Sequence, residues 1–281
     1  MTILSEAFHV ATTNSRLREL ANLDALKREQ REHDKKSFKS EGDSFTNTNM
    51  KEITKLIESM DDTTLGYLLI IQSYLRYDGT LGTTKTPFTK VKDFQGILNL
   101  KARKTKDVIS KLTEKGVLCL NEDKVYCMNP IYHFRGKVPR SQVKDNIKLI
   151  IKSIRALRDA KVKAKDLSTV YFLLPYVTYG HNILASNPNE RQLEKIDTLN
   201  LKQISTIIGV ADTNKVLQKI RRVTFEHEKY GTLYAFAQVR KGDKEYHFKA
   251  NLLLMRRISE REHSLQVHEM LIADFIVKSK K

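Results

Sequence analysis

A cluster of basic residues lies at the start of a predicted helix, in the sequence KARKTK at residues 101–106. Lys101, Arg103, Lys104 and Lys106 place four positive charges within this short segment. The N-terminus of a helix is itself electropositive, because its first backbone N–H groups have no partner inside the helix. Basic side chains at such a position are suited to binding phosphate groups.

Two predicted helices carry polar side chains of the types that recognise bases. Successive residues of a helix are turned by about 100°, so residues 103–115 direct Val108, Ile109 and Leu112 to one side. The opposite face of this helix holds Arg103, Lys106, Asp107 and Ser110. In residues 212–222 the outward side chains are Asn214, Lys215, Gln218 and Arg222. Arg and Lys can donate to guanine, and Asn and Gln can pair with adenine, so these eight residues are the candidate contacts to DNA bases.

Other basic residues are candidate contacts to DNA phosphates, which position a protein on the duplex without reading its sequence. They are Lys101, Lys104 and Lys111 beside the first helix, Lys219 and Arg221 on the second, Lys144, Lys148, Lys152 and Arg155 between them, and Arg240, Lys241 and Lys244 in a later turn. The alternative for any single lysine is that it only solvates an exposed helix. A second hairpin turn with three basic residues favours contact with DNA, whereas the acidic turn at residues 121–124 is expected to be silent or to contact protein.

The elements around these helices occur twice in the same order. The first set is a buried helix at 65–77, an extended piece at 80–87, helices at 89–98 and 103–115, and a hairpin at 117–129. The second set is 166–177, 181–186, 201–208, 212–222, and a longer hairpin from 232–240 and 245–251. Residues 97–100 overlay 207–210, and apolar positions 108, 109 and 112 overlay 216, 217 and 220. Helix, strand, helix, turn, helix and hairpin is the order of a winged helix-turn-helix domain, whose second turn helix enters the major groove.

The sequence therefore predicts a mainly α fold with small β-hairpins (α+β), built from tandem winged helix-turn-helix domains joined by a helix. The predicted segments are a charged N-terminal helix and linker at 1–49, a first winged-helix domain at 50–139, a basic connecting helix at 140–165, a second winged-helix domain at 166–257, and a C-terminal amphipathic helix at 258–281.

Two of these helices have alternative interpretations. Val143, Ile147, Ile150, Ile154 and Leu157 are spaced by four and three residues, which is typical of a coiled-coil seam. Two heptads are too short to indicate a coiled coil, which favours a helix that packs on its own domains. The C-terminal helix, with Leu265, Leu271, Ile272, Phe275 and Ile276, is either a dimer or docking helix or packs on its own domain.

The overall charge favours a polyanionic partner. The 281 residues include 50 Lys+Arg and 33 Asp+Glu, a net charge of +17. Residues 1–50 and 258–281 each have equal numbers of acidic and basic residues, so the excess lies in the predicted folded part. A membrane-targeting tail would place it at a terminus. With no apolar run of membrane-spanning length and no signal peptide, the sequence predicts a cytoplasmic protein without a membrane partner, associated with a nucleoid or plasmid.

A short motif suggests a family. The run VYCMNPIYHFRG follows the first winged-helix pattern, and Tyr126, Asn129, Pro130, Phe134, Arg135 and Gly136 carry the likeness. It resembles replication-initiator and MarR-like winged-helix proteins of plasmids and phages of low-GC Gram-positive bacteria. The tandem layout is also similar to that of iteron-binding plasmid initiators. The resemblance covers about a quarter of the chain and implies origin or operator binding by a mobile-element protein.

No catalytic motif is found. The eight histidines form no His-x-His or His-x-x-His pair, and Cys119 and Cys127 are interpreted as ordinary thiols. No nucleotide-binding or nucleophile motif occurs, so we expect a non-enzyme without metal or cofactor. Three functions remain: a replication initiator that binds origin repeats, a transcription regulator that binds an operator as a dimer, and a DNA-coating or segregation protein. Double-stranded DNA is the expected partner, and a homodimer and the replication or transcription machinery are open alternatives.

Overall fold

Helices alternate with short antiparallel strands in the computed structural model, which describes residues 44–240, 246–257 and 272–277. In chain order the elements are β1 (Phe45–Asn49), α1 (Met50–Ser59), α2 (Asp62–Gln72), α3 (Val91–Leu98), α4 (Ala102–Glu114), β2 (Leu118–Leu120), β3 (Tyr126–Met128), β4 (His133–Phe134), β5 (Asn146–Ile150), α5 (Ile151–Asp159), α6 (Ala164–Leu173), α7 (Leu201–Ile208), α8 (Thr213–Arg222), β6 (Thr224–His227), β7 (Gly231–Tyr234), β8 (Phe236–Arg240), β9 (Tyr246–Ala250) and β10 (Met255–Arg256). All of them belong to one compact unit, residues 44–281. The predicted α+β class is confirmed.

A four-stranded antiparallel sheet, in the order β10-β5-β1-β4, joins the two halves of this unit. The first half is the segment from β1 to β4, and the second half is the segment from β5 to β10. Strands β1 and β5 lie at its centre and pair along their whole length, from Phe45 opposite Ile150 to Asn49 opposite Asn146. The sequence FTNTN of β1 contains β-branched threonines, which favour extended backbone. The side chains of Thr46 and Thr48 are fully buried beneath the sheet.

The pairing of this sheet is two-fold symmetric about the Asn47–Lys148 pair. In β1, Asn47 and Thr48 pair with two residues of β4. At the matching positions of β5, Lys148 and Leu149 pair with two residues of β10. Each half of the chain thus begins with a central strand and continues with two helices and then a pair of helices joined by a short turn. It returns to an outer strand of the same sheet through one hairpin in the first half and two in the second.

Helices α2 and α6 pack against each other and form the largest contact between the halves. Asp61 caps α2 by accepting a 3.0 Å hydrogen bond from the backbone N–H of Thr64. Within α2, Gly66 lies against the Ala164 backbone so closely that an added Cβ would be 1.8 Å from that carbonyl oxygen. Glycine at this position permits the close approach of the two helices. Leu65, Leu68, Leu69, Val170 and Tyr171 are fully buried in the same core.

Both predicted pairs of helices joined by a short turn are present, as α3 with α4 and as α7 with α8. Helix α3 ends at Asn99, whose φ of 51° is left-handed, and α7 ends at Gly209, whose φ is 71°. Asparagine and glycine tolerate this conformation, which turns the chain sharply into the next helix. The two residues are those overlaid in the sequence comparison of the halves. The helix boundaries agree with the predicted ones to within two residues.

The predicted continuous helix at 140–165 is wrong. Residues Arg140–Asp145 form a 3₁₀ turn, Asn146–Ile150 form β5, and only Ile151–Asp159 form a helix. Ile147 and Leu149 point to the same buried side of the sheet, so the sequence NIKLI satisfies a strand as well as a helix. Pairing with both β1 and β10 decides in favour of the strand.

Other boundaries also need correction. Residues 45–49 of the predicted linker form β1, and α1 was not predicted. The second half begins at β5 rather than at residue 166. It contains two hairpins, β6–β7 and β8–β9, because residues 232–234 pair with β6 instead of continuing into β8. The predicted N-terminal helix and residues 258–271 of the predicted C-terminal helix lie outside the described residues. Further along the latter, Ile272 and Phe275 are buried in the core of the chain's own unit.

The residues of the VYCMNPIYHFRG motif serve mainly to join the first hairpin to the central sheet. Asn129 donates to the Gly116 carbonyl at 2.9 Å, and Phe134 lies in β4 opposite Asn47. The Gly136 carbonyl accepts a 2.9 Å hydrogen bond from the Asn47 side chain. In this structure the motif therefore has an architectural role.

Candidate nucleic-acid interface

Helix α4 has the two faces that its sequence predicted. Thr105, Val108, Ile109 and Leu112 are buried, and they fix the rotation of the helix against the core. The four candidate base contacts of this helix, Arg103, Lys106, Asp107 and Ser110, are all exposed. The side chains of Lys101 and Lys104 are also exposed at its first turn.

The N-termini of α4 and α8 differ. Lys101, the residue before α4, makes no side-chain capping hydrogen bond, so the first N–H groups of α4 lie beside the basic cluster without a protein acceptor from the cap residue. In α8, the Asp212 carboxylate caps the helix by accepting from the N–H groups of Asn214 and Lys215. The start of α4 is therefore the more electropositive of the two and the better suited to an anionic group.

Helix α8 also presents its candidate base contacts to solvent. Asn214, Lys215, Gln218 and Arg222 are exposed, and Val216 and Ile220 are buried. Arg222 is in addition 3.6 Å from the carboxylate of Asp166, on α6 of the same half. Its side chain remains 54% exposed, so this ion pair leaves the guanidinium accessible.

The prediction that Lys219 contacts phosphate does not fit its surroundings. Its side chain is 8% exposed, its ammonium is 3.2 Å from Asp62 of α2, and it lies 5.5 Å from the centre of the Phe172 ring. The helical wheel placed Lys219 at the edge of the exposed face, where the other half of the chain covers it. Lys219 is therefore not available for contact with a DNA phosphate.

Lys111 is exposed but paired. Its ammonium donates to Asp61 at 2.8 Å, and this hydrogen bond raises the pKa of Lys111. Burial alone would raise the pKa of Asp61, but hydrogen bonds from Lys111 and from the backbone and hydroxyl of Thr64 lower it to about 2. A phosphate would have to compete with this carboxylate for Lys111.

The basic ridge predicted on the connecting helix does not exist as one surface. Its residues are divided between the 3₁₀ turn, β5 and α5. Lys148 is half-buried with its ammonium 4.5 Å from the centre of the Phe45 ring, and exposed Lys152 pairs with Glu228 at 3.0 Å. Arg155 is half-buried and donates to the Ser73 carbonyl at 2.8 Å. Lys144 is exposed, as predicted. Of the four residues it alone has no contact between its charged group and another residue in the described part of the chain.

The hairpin that follows α4 and the second of the two hairpins that follow α8 differ in the charges that they expose. The turn at residues 121–124, after β2, is exposed and contains Glu122 and Asp123. Arg221 at the end of α8 and Arg240 at the end of β8 are both exposed. Lys241 and Lys244 lie outside the described residues, so their predicted phosphate contacts stay predictions.

A buried polar network was not anticipated from the sequence. The His133 ring is fully buried, with Nδ1 3.0 Å from the Thr48 hydroxyl and Nε2 2.9 Å from the Tyr171 hydroxyl. Burial lowers the pKa of His133 to about 3 and raises that of Tyr171. Because β1 and β4 belong to the first half and α6 to the second, this network ties the halves together. An isolated histidine in the sequence carries no signal of such a role.

The carboxylates that hold α4 and α8, namely Asp61, Asp62 and Asp166, were also missed. Their signal was available in part, since Asp followed by Thr-Thr before an apolar run is typical of a helix N-terminus. Their partners depend on tertiary structure.

Within the described residues no group of three or more His, Cys, Asp or Glu side chains could hold a metal ion. None of the helices that the structure describes has the length and apolar character needed to cross a membrane. Comparisons of the chain with protein-family models, curated proteins and solved structures give no match. The function proposed below therefore depends on the arrangement of α4, α8 and their surroundings.

Proposed function

We propose that the protein binds double-stranded DNA sequence-specifically through two tandem winged helix-turn-helix units, with α4 and α8 in successive major grooves. The observation that carries the proposal is that both helices are the second of a tight helix pair, precede a hairpin and expose a polar face. That face includes Arg103 and Lys106 on α4, and it includes Asn214, Lys215, Gln218 and Arg222 on α8. Such helices are the recognition helices of helix-turn-helix proteins. The net charge of +17 supports a polyanionic ligand.

The two-fold pairing of the central sheet adds a constraint on the DNA site. If the two-fold symmetry of the sheet extends to the helix-turn-helix pairs, α4 and α8 lie on the same side of the protein. They are then related by the two-fold axis and run in opposite directions. One chain then recognises two half-sites in inverted orientation. The half-sites differ in sequence, because Lys106, Asp107 and Ser110 on α4 correspond in the overlay to Asn214, Lys215 and Gln218 on α8.

The biological role that best fits is that of a plasmid or phage replication initiator that binds repeats at an origin. A transcription regulator at an operator and a DNA-coating or segregation protein are the alternatives. In the first role several copies of one bipartite site lie in direct orientation, and in the second a single symmetric operator is bound. A coating protein has weak base discrimination and a steep dependence of affinity on salt.

The test is selection of bound duplexes from a random DNA pool at near-physiological salt, followed by measurement of the mass of the complex. A defined motif bound by one chain, with two unlike inverted half-sites, is the expected result. A motif bound only by two chains would support a dimeric regulator. Recovery of no motif, with binding that collapses as salt rises, would overturn sequence-specific recognition and leave the coating role. Tandem copies of the motif in or beside the gene would favour the initiator.

A further inference from the structure

Two adjacent carboxylates at the N-terminus of α2 each hold one of the candidate recognition helices. Asp61 is 2.8 Å from the ammonium of Lys111 on α4, and Asp62 is 3.2 Å from that of Lys219 on α8. Helix α2 and α4 belong to the first half of the chain, whereas α8 belongs to the second. The Asp62–Lys219 pair therefore crosses between the halves.

The two ion pairs differ in burial and hence in the cost of separating their charges. Lys111 and Asp61 have side chains 54% and 46% exposed, and solvent-exposed pairs of this kind contribute little. Lys219 and Asp62 are 8% and 33% exposed, and the Lys219 ammonium also faces the Phe172 ring. Loss of one partner from such a pair leaves a charge poorly solvated, so the geometry is strongly favoured. Of the two aspartates, Asp62 is therefore the one that can fix the position of α8.

Helix α8 is held at two points that lie on different halves. Asp166 on α6 contacts Arg222 at 3.6 Å within the second half, and Asp62 on α2 contacts Lys219 from the first. The buried side chains of Val216 and Ile220 fix the rotation of α8 on its own half, and the Asp62–Lys219 pair restricts movement of that half past the first. The exposed face of α8 is thereby held in one orientation relative to α4.

We propose that Asp62 is a positioning residue that fixes the orientation of α8 relative to α4, and thereby the spacing between the two half-sites that the protein accepts on DNA. The first part of this proposal depends only on the fold, and the second part rests on the proposed function. Asp62 contacts no base in this scheme and acts through Lys219.

The orientation is tested without DNA by pulsed electron resonance between spin labels on the two helices. The labels are attached through Ser110→Cys and Gln218→Cys in a background where Cys119 and Cys127 are replaced by serine. With Asp62 and Lys219 intact, the labels are expected to give one narrow distance distribution.

Asp62→Asn together with Lys219→Met removes both charges and leaves no buried ion. This double variant is expected to broaden or shift the distance distribution while circular dichroism stays unchanged. Lys111→Met is the matched control that removes the exposed pair and is expected to leave the distribution unchanged. An unchanged distribution in the Asp62/Lys219 double variant would overturn the proposal.

The consequence for DNA is measured with the selected duplex and a series in which the half-sites are moved apart one base pair at a time. The native protein is expected to lose about tenfold in affinity or more at each wrong spacing, since one helix then meets mismatched bases. The double variant is expected to bind the spacings with nearly equal affinity. A spacing profile identical to that of the native protein would refute the effect on DNA. If the native protein selects no motif, the proposed function fails, and the distance distribution still decides whether Asp62 positions α8.

Discussion

Acidification is expected to destabilise the fold through His133. The ring is fully buried between Thr48 and Tyr171, and burial holds its pKa at about 3, against an ordinary value of 6.5. The folded protein therefore keeps the neutral ring at pH values where the unfolded chain takes up a proton. This contribution to stability is complete above pH 6.5 and is lost progressively as the pH falls from 6.5 toward 3.

The magnitude follows from the two pKa values. Each pH unit below 6.5 costs about 1.4 kcal/mol, so the free energy of unfolding falls by about 2 kcal/mol between pH 8 and pH 5 on account of this residue. The full loss near pH 3 is about 5 kcal/mol, which is comparable to the whole stability of many domains.

The measurement is urea unfolding of the native protein and of His133→Gln at several pH values between 8 and 5. Glutamine keeps one donor and one acceptor but does not titrate, and all other groups titrate in both proteins. The difference in free energy of unfolding between the native protein and the variant should decrease by about 2 kcal/mol from pH 8 to pH 5. A difference that is constant with pH would refute the reasoning, as would titration of the His133 ring resonances of the folded protein near pH 6.5 in NMR spectra.

Two further predictions concern packing and recognition. Gly66→Ala should lower the free energy of unfolding by about 3 kcal/mol or more, because its Cβ would meet the Ala164 carbonyl at 1.8 Å; the control Gly96→Ala, with nothing within 4 Å of the added atom, should be neutral or stabilise by about 0.5–1 kcal/mol. An equal effect of both changes in urea unfolding would contradict the close packing of α2 on α6. Arg103→Ala should weaken DNA binding by about 1–3 kcal/mol and relax the base preference at one position. Lys104→Ala should weaken binding to all DNA sequences alike and reduce the slope of log affinity against log salt concentration by about one. Binding isotherms at several salt concentrations that show the same behaviour for both variants would refute the orientation assigned to α4.

The local elements were predictable because their signals lie within a few residues. The apolar face of Val108, Ile109 and Leu112 fixes the rotation of α4, and the turn residues Asn99 and Gly209 mark the same bend in both halves. The exposed candidate base contacts follow directly from this periodicity. For these parts the sequence pattern and the tertiary structure agree.

The central sheet was not predictable by the same reasoning. In β5 the apolar residues Ile147 and Ile150 fit a helical spacing, and only pairing with β1 and β10, each about a hundred residues away, makes the segment a strand. The sequence FTNTN of β1 shows no apolar stripe, since its buried residues Thr46, Asn47 and Thr48 are polar and bond to Gln72, Gly136 and His133. Lys219 was misplaced for a related reason, because its burial depends on Asp62 in the other half.

The symmetric register of β1 and β5 has the geometry of a homodimer interface within one polypeptide. In a homodimer a strand pairs with its own copy in this way, and any substitution appears in both subunits at once. Here each half can accumulate substitutions independently, and α4 retains Asp107 and Glu114 whereas α8 has no acidic residue. The arrangement within a single chain also has a cost for an isolated half. A fragment that ends before β5 would leave β1 as an unpaired edge, and such edges recruit other strands. Fragments of this chain are therefore expected to self-associate through β1, re-creating as a dimer the sheet that the intact protein forms alone.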